Sequence, residues 1–144
     1  MSGPTASVAG PEDRAEIAAL RTRVFVGEQG VPPEIEQDAA DADAVHVLSR
    51  DADGRVVATG RLLVDGPTAG IGRMAADASV RGRGHGGAVL AELHRQAVLR
   101  GVTAIELHAQ VAARRFYERA GYAAVGEEYE EAGIRHITMR RPLP

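Results

Sequence analysis

Cysteine and lysine are both missing from this chain of 144 residues, so its 17 basic residues are all arginine. Without cysteine the protein has no thiol nucleophile, no disulfide and no thiolate metal site. Without lysine it cannot form a Schiff base through its own side chain. The absence of cysteine agrees with a reducing compartment, and we expect a cytoplasmic protein.

Long hydrophobic runs are also missing. No apolar run approaches the ~20 residues that span a bilayer, and the start of the chain lacks the basic and apolar regions of a secretory signal. The net charge of −3 gives no electrostatic basis for binding nucleic acid. We therefore predict neither a membrane nor a nucleic-acid partner.

The composition is that of an ordinary soluble domain, with 44% hydrophobic and 26% charged residues. The length is sufficient for one hydrophobic core, so we treat residues 1–144 as a single domain. The five histidines show no spacing such as H-x-x-x-H, so no metal is predicted.

Hydrophobic periodicity predicts elements in the order β-α-α-β-β-β-α-β-α-β-β. Such an order is typical of an α/β fold of the mixed (α+β) kind, built on one mixed sheet. The acidic segment Asp38–Asp43 has two interpretations, a solvated loop or a lip that attracts a cationic substrate. The predicted helices cover residues 10–26, 33–37, 84–100 and 112–120, and the predicted strands cover 5–8, 44–50, 55–64, 69–76, 102–109, 122–129 and 134–141.

The stretch Val80–Gly87 is poor core material because it combines glycines with arginines. It follows a strand that ends near Ala76 and enters the helix predicted from Gly84. Glycine allows close approach of the backbone and positive φ, and a helix start offers unpaired N–H groups and a partial positive charge. The stretch therefore predicts a pyrophosphate cradle, to which Arg81 and Arg83 add charge.

The same glycines, Gly82, Gly84 and Gly87, spell the dinucleotide-binding pattern G-x-G-x-x-G. Glu106 lies near the distance at which such a domain places its ribose-binding acid. Against this alternative, Asp77–Arg81 separates the strand from the glycines, a hairpin meander precedes them, and little chain follows for further βαβ units. A P-loop is excluded because Gly-Lys-Ser/Thr is absent, and a glycine-rich turn without a ligand stays a third alternative.

Two motifs carry a family resemblance. Arg81–Gly86 (RGRGHG) fits R/Q-x-x-G-x-G/A after a strand, and Phe116–Tyr122 (FYERAGY) fits F-Y-x-x-x-G-F/Y. On these motifs the chain resembles the GNAT superfamily of acetyl-CoA-dependent N-acetyltransferases. The segments Arg23–Pro32 and Gly126–His136 are similar to its small bacterial ElaA/YjcF type. The resemblance covers nearly the whole chain and implies a GNAT fold, with a central mixed sheet of about six to seven strands flanked by about four helices.

The resemblance implies acetyl-CoA as the cosubstrate. The strand edge around Met74 would pair with the pantetheine arm, and an N–H there would polarise the thioester carbonyl. Gln110 falls where the family often has Asn, and this departure concerns a side-chain contact with the cosubstrate. The implied cofactor-binding residues are Met74, Ala75, Ala76, Arg81, Gly82, Arg83, Gly84, His85, Gly86, Gly87, Gln110 and Tyr117.

The implied reaction acetylates a small-molecule primary amine. An amine of pKa ~10.4 is neutral in only about one molecule in a thousand at pH 7. Since no cysteine is present to carry the acetyl group, we expect direct attack in a ternary complex. Tyr117 occupies the position that supplies a proton to the thiolate in the family. Glu106 and His108 are candidates for the base because strand alternation puts both on one face. Glu28 is the third candidate, and it is also the predicted group for amine recognition. His46 and His136 are further strand histidines, which are more often ordinary surface or hydrogen-bonded residues.

Two further expectations accompany this hypothesis. A non-catalytic acyl-CoA-binding or regulatory module on the same fold is the alternative function. The oligomeric state stays open between a monomer and a homodimer, and the resemblance favours a homodimer because small domains of this kind often pair through their C-terminal strands.

Overall fold

A computed structural model describes residues 3–144 of the chain. Its seven strands are β1 (Ala6–Val8), β2 (Val45–Arg50), β3 (Val56–Asp65), β4 (Thr68–Ala76), β5 (Ala104–Gln110), β6 (Ala123–Glu131) and β7 (Ile134–Pro142). They form one sheet in the spatial order β1-β2-β3-β4-β5-β7-β6. In the described part of the chain, β4 and β5 form the one parallel pair and the other neighbours are antiparallel. A dinucleotide-binding domain needs a mostly parallel sheet, so that alternative is excluded.

Residues 3–144 form four α-helices, α1 (Arg14–Arg21), α2 (Pro33–Glu36), α3 (His85–Leu99) and α4 (Arg114–Arg119). Their order along the chain confirms the predicted sequence of elements and the mixed α/β fold. The first helix is longer than predicted, because a π-helical segment, Thr22–Glu28, continues α1 beyond Val26. Gly27 does not end it, since the N–H of Gln29 still bonds to the carbonyl of Val24 at 3.1 Å. None of these helices is long and apolar enough to cross a bilayer.

The core lies on both faces of the sheet. On one face, α3 packs Leu93 against a cluster that includes Val47 of β2 and Ile105 of β5, all fully buried. On the other face, α1 packs Leu20 against a second cluster that includes Leu48. Because adjacent strand residues point to opposite faces, Val47 and Leu48 divide β2 between the two clusters. The sheet is therefore the central layer between α3 and α1.

A bulge redirects β4 near its C-terminal end. Gly60 of β3 faces two β4 residues, Arg73 and Met74, because the register shifts there. Arg73 has φ 53°, which is unusual for a residue that carries a Cβ. Gly60 leaves room for the side chains packed on it, since a Cβ would contact Met74 Sδ and lie 2.9 Å from Leu93 Cδ1. A bulge bends its strand and increases the local twist, and it does so here just where β4 leaves β5.

Two carboxylates of the acidic segment Asp38–Asp43 form ion pairs with buried arginines. The segment forms a 3-10 turn at Ala39–Asp43. Asp38 accepts hydrogen bonds from Arg61 at 2.7 and 2.9 Å, and Asp41 accepts from both Arg61 and Arg21 at 2.8 Å. The hydrogen bond from Arg61 lowers the pKa of Asp38 to about 2. Asp38 is exposed, as a solvated loop requires, but both carboxylates also pair with arginines whose burial requires internal partners. The interpretation as a substrate lip stays a prediction.

Candidate active site

β4 and β5 separate at one end of the sheet, where their pairing stops at Ile71 and Leu107. Beyond that pair β5 stays bonded to β7, as far as Gln110 and His136. A cavity of about 700 Å³ opens in the gap. Gly72 adds no side chain to it, and a Cβ there would have no neighbour closer than 4.0 Å. The sheet thus presents an unpaired strand edge beside an open cavity, an arrangement that an amide-bearing ligand can extend.

The glycine loop follows β4 and enters α3. Gly82 and Gly84 have φ of 81° and 92°, a region that side chains other than glycine rarely adopt. The N–H groups of Arg83 and Ala88 bond within the loop, at 3.1 Å to the Val80 carbonyl and at 3.0 Å to that of Gly84. The N–H groups of residues 82 and 84–87 have no partner within residues 3–144. The loop therefore presents a set of free donors at a helix start.

These donors fit an anion. Within residues 3–144 nothing lies within 4 Å of a Cβ built at Gly82 or Gly87, so the loop is open at these two positions, whereas Pro4 would lie 3.6 Å from a Cβ at Gly84. The ring of His85 is held by Ser49, whose Oγ lies 2.7 Å from Nδ1, and this contact fixes the first residue of α3. Backbone N–H groups at a helix start bind phosphate, and the residues present therefore fit the diphosphate of an acyl-CoA.

Arg81 lies between the loop and the cavity. Its Nε donates to the carbonyl of Ala76 at 3.1 Å, and a terminal nitrogen forms an ion pair with Glu28 at 2.7 Å. Glu28, the residue predicted to recognise the amine, is therefore already paired with a cation of this chain. Arg83 is exposed on the loop.

The π segment reaches across the gap to β5. Nε2 of Gln110 donates to Oε1 of Gln29 at 2.8 Å, and Gln29 returns a longer hydrogen bond of 3.4 Å. The amide of Gln110 is therefore engaged within the chain. Of the predicted site residues, the structure brings Glu28, Met74, Ala75, Ala76, Arg81, Gln110 and Tyr117 to this one cavity.

Tyr117 reaches the cavity from α4. Its side chain is buried, with 7% of the residue exposed, and burial raises the pKa of its hydroxyl to about 12. The rings of Phe116 and Tyr122 meet it edge-on at centroid distances of 5.0 and 5.8 Å and fix its orientation. The hydroxyl has no hydrogen-bond partner in the described part of the chain. Tyr117 therefore offers a protonated, unengaged donor to the cavity at neutral pH.

His94 contacts the ring system of Tyr117, Phe116 and Tyr122 through the hydroxyl of Tyr122. Nε2 of His94 lies 2.8 Å from the hydroxyl of Tyr122, and Nδ1 lies 3.0 Å from a terminal nitrogen of Arg141. Burial and the adjacent Arg141 cation lower the pKa of His94 to about 4. His94 is therefore neutral in the folded protein at pH 7, and its Nδ1 accepts a hydrogen bond from the arginine.

We expect the free energy of unfolding to decrease as pH falls from 6.5 to about 4. In this window the unfolded chain binds a proton at His94 that the folded protein excludes, and the effect levels off below it. Because His94 is only partly buried, we expect a loss of roughly 1–2 kcal/mol. The measurement is the Tm of wild type and His94→Gln across this pH range, since glutamine does not titrate. Identical pH dependence of the two proteins would contradict the assignment.

The far end of the cavity brings together side chains that sequence analysis did not connect. Glu131, at the end of β6, lies 3.2 Å from Nδ1 of His108 and 3.7 Å from Nε2 of His136. Strand alternation assigned His108 to the cleft, the acidic stretch Glu127–Glu131 hinted at a cationic amine, and His136 was named only as a further strand histidine. Their contacts with one another were not predicted, because only the register of the last hairpin brings them together. The sequence signal for this register is the glycine of the two-residue turn Ala132-Gly133 between β6 and β7, since both turn residues have positive φ in the structure.

Comparisons with known proteins agree with this geometry. A family model for the acetyltransferase (GNAT) domain matches residues 9–143. YjcF of Bacillus subtilis, named as an uncharacterized N-acetyltransferase, is 32% identical over 123 residues, which cover 85% of this chain and 87% of that protein. The crystal structure of an acyl-CoA N-acyltransferase from Pseudomonas aeruginosa superposes with a TM-score of 0.83 at 31% identity, covering 96% of this chain and 99% of the other. The crystal structure of Escherichia coli ElaA superposes with a TM-score of 0.82 at 28% identity, covering 96% of this chain and 99% of the other.

The matched residues include the glycine loop, the gap between β4 and β5 and the helix that carries Tyr117. The match extends over nearly the whole chain, so it concerns the domain and not one motif. The chain therefore belongs to the acetyltransferase (GNAT) domain family, as its two motifs predicted.

Proposed function

We propose that the protein transfers an acetyl group from acetyl-CoA to a primary amine by direct attack in a ternary complex. Membership of the family supports acyl-CoA-dependent N-acyltransfer in general. The observation that carries the finer proposal is the gap between β4 and β5, whose cavity extends from Arg81, beside the glycine loop, to Tyr117.

The cosubstrate would lie along this path. In the proposal, the N–H groups of residues 84–87 hold the diphosphate, and Arg81 and Arg83 add charge. The pantetheine arm pairs with the unpaired edge of β4 from Met74 to Ala76. The N–H of Met74, beside the bulge, donates to the thioester carbonyl oxygen, where negative charge develops. When bound, acetyl-CoA supplies an activated acyl group with a thiolate leaving group.

Tyr117 is the proposed acid. Its hydroxyl is protonated at neutral pH, and burial raises its pKa to about 12, so the proton is present to be given to a departing thiolate. The amine nitrogen forms the C–N bond as the C–S bond breaks, and no acyl-enzyme is required. A cysteine to carry the acyl group is absent from the sequence, which favours direct attack.

Two measurements test the proposal. Calorimetric titration with acetyl-CoA is expected to show saturable binding, and none at hundreds of micromolar would contradict it. A screen over pooled primary amines, followed by release of the CoA thiol, is expected to show release that depends on an amine. Saturable binding without thiol release from any pool would instead favour the alternative of a non-catalytic acyl-CoA-binding module.

A further inference from the structure

The end of the cavity lined by Glu106, His108 and Glu131, where the acceptor amine would bind, has an excess of negative charge. Arg61, Arg73 and Arg81 line the cavity, and each forms an ion pair with a carboxylate of the chain. Glu106 and Glu131 line it too. Glu106 forms a long ion pair with Arg140 at 3.9 Å, whereas Glu131 has no arginine partner in the described part of the chain. This end of the cavity therefore carries negative charge that an ammonium group can complement.

His108 lies at the vertex of the gap. It is the first β5 residue beyond the last pair with β4, Ile71 and Leu107. Its Nδ1 lies 3.2 Å from Oε1 of Glu131, so the carboxylate holds the ring proton on Nδ1 and leaves the lone pair on Nε2. Nε2 has no hydrogen-bond partner within residues 3–144. The ring of Tyr129 meets His108 edge-on at 5.8 Å and restricts its rotation.

A second histidine lies on the other side of Glu131. His136 is buried, and its Nδ1 donates to the carbonyl of Ile134 at 2.7 Å. Its Nε2 then faces Oε2 of Glu131 at 3.7 Å. The ring of Tyr129 stacks on His136 at 6.1 Å. Glu131 therefore lies between two imidazoles, of which only His108 is exposed enough to meet a substrate.

We infer that Glu131 attracts the ammonium group of the acceptor into the cavity and orients the ring of His108, whose Nε2 takes a proton from the ammonium before attack. This inference rests on the proposed acyl transfer. It assigns amine recognition to Glu131 and not to Glu28, whose carboxylate is paired with Arg81. The acceptor is a primary amine with an apolar body, because apolar side chains line the same cavity, among them Ile35, Leu63 and Ile134.

The proton transfers balance. The ammonium gives one proton to His108, which passes it to solvent. The amine lone pair forms the C–N bond, the C–S electron pair leaves on sulfur, and Tyr117 protonates the thiolate. The second proton leaves the nitrogen through solvent and restores the hydroxyl of Tyr117.

The charged and titratable groups around His108 are Glu131 and Tyr129 of β6, His136 of β7, Glu106 of its own strand with Arg140 beside it, and Glu28 across the cavity.

Binding of hexylamine and 1-hexanol tests the assignment of Glu131 without turnover. We expect hexylamine, but not 1-hexanol, to shift the ring resonances of His108 in the wild-type protein. Glu131→Gln is expected to weaken hexylamine binding about tenfold, because one charge partner is lost. Glu127→Gln is the matched control, an exposed carboxylate on the same strand that does not line the cavity. Equal binding of amine and alcohol, or undiminished binding by Glu131→Gln, would overturn the inference.

The pH–rate profile of His108→Gln tests the proton acceptor. With the best amine from the pooled screen, we expect kcat to fall about 30-fold at pH 7 while acetyl-CoA affinity is kept. The deficit should narrow towards pH 9, because the neutral amine becomes more abundant and needs the base less. Wild-type kcat at pH 7 in this variant would overturn the inference and leave the acyl transfer standing. Failure of acetyl-CoA to bind would instead count against the transfer, and the hexylamine comparison would still decide the role of Glu131.

Discussion

Replacing Tyr117 by phenylalanine is expected to lower kcat by about 100-fold or more while changing acetyl-CoA affinity little. The substitution removes the one group in the proposed mechanism that can protonate the thiolate, and it keeps the ring that packs against Phe116 and Tyr122. Steady-state kinetics with the best amine, together with calorimetric titration of acetyl-CoA, separates the two quantities.

Tyr122→Phe is the matched control for this variant. Tyr122 is also buried, but its hydroxyl bonds to His94 and the residue does not line the cavity. We expect this control to lose some stability and to keep kcat within a few-fold of wild type. If kcat of Tyr117→Phe equals that of wild type, Tyr117 is not the acid.

Gly87→Asp is expected to raise the Tm and to weaken acetyl-CoA binding about 100-fold. Gly87 lies in the first turn of α3 with a backbone that other residues can adopt, and a Cβ there has no neighbour within 4 Å. Aspartate interacts favourably with the helix dipole at this end and improves on glycine in helix propensity. The same carboxylate repels one negative charge of a diphosphate by about 3 kcal/mol at ~5 Å and an effective dielectric of ~20, and this repulsion alone corresponds to roughly 100-fold in affinity.

Gly87→Ala separates charge from bulk. It gains helix propensity of about 1 kcal/mol without adding a charge, so we expect a higher Tm and acetyl-CoA affinity close to that of wild type. Gly84 is a poorer position for such a test, because a residue with a side chain would be strained at its φ of 92°. A loss of binding by a Gly84 variant could then come from unfolding as well as from a changed binding site. Undiminished affinity of Gly87→Asp would remove the glycine loop from the binding site.

Short sequence patterns predicted the secondary-structure elements, the glycine turn and the family, each of which depends on residues that are close together in the chain. The alternation of apolar residues predicted the order of strands and helices, since strand and helix periods differ. The glycines before His85 predicted a positive-φ turn and a helix start, and both lie within one residue of the predicted place. Motif spacing predicted the family, which the comparisons confirm.

Contacts between distant segments could not be predicted in this way. Asp41 and Arg61 are 20 residues apart, and Gln29 and Gln110 are 81 residues apart. Neither pair has a sequence signature, because any carboxylate can satisfy a buried arginine and any amide can pair with another. The acidic segment was therefore assigned to solvent or to substrate although two of its carboxylates support the fold.

The sequence by itself determined the element order, the glycine turn before α3 and the family, because each follows from residue types within a short window. Only the tertiary structure decided that β4 and β5 part after Ile71 and that Glu131 and His136 stand beside His108. Strand pairing sets these neighbours, and a shift of one residue in register would turn each side chain to the opposite face of the sheet.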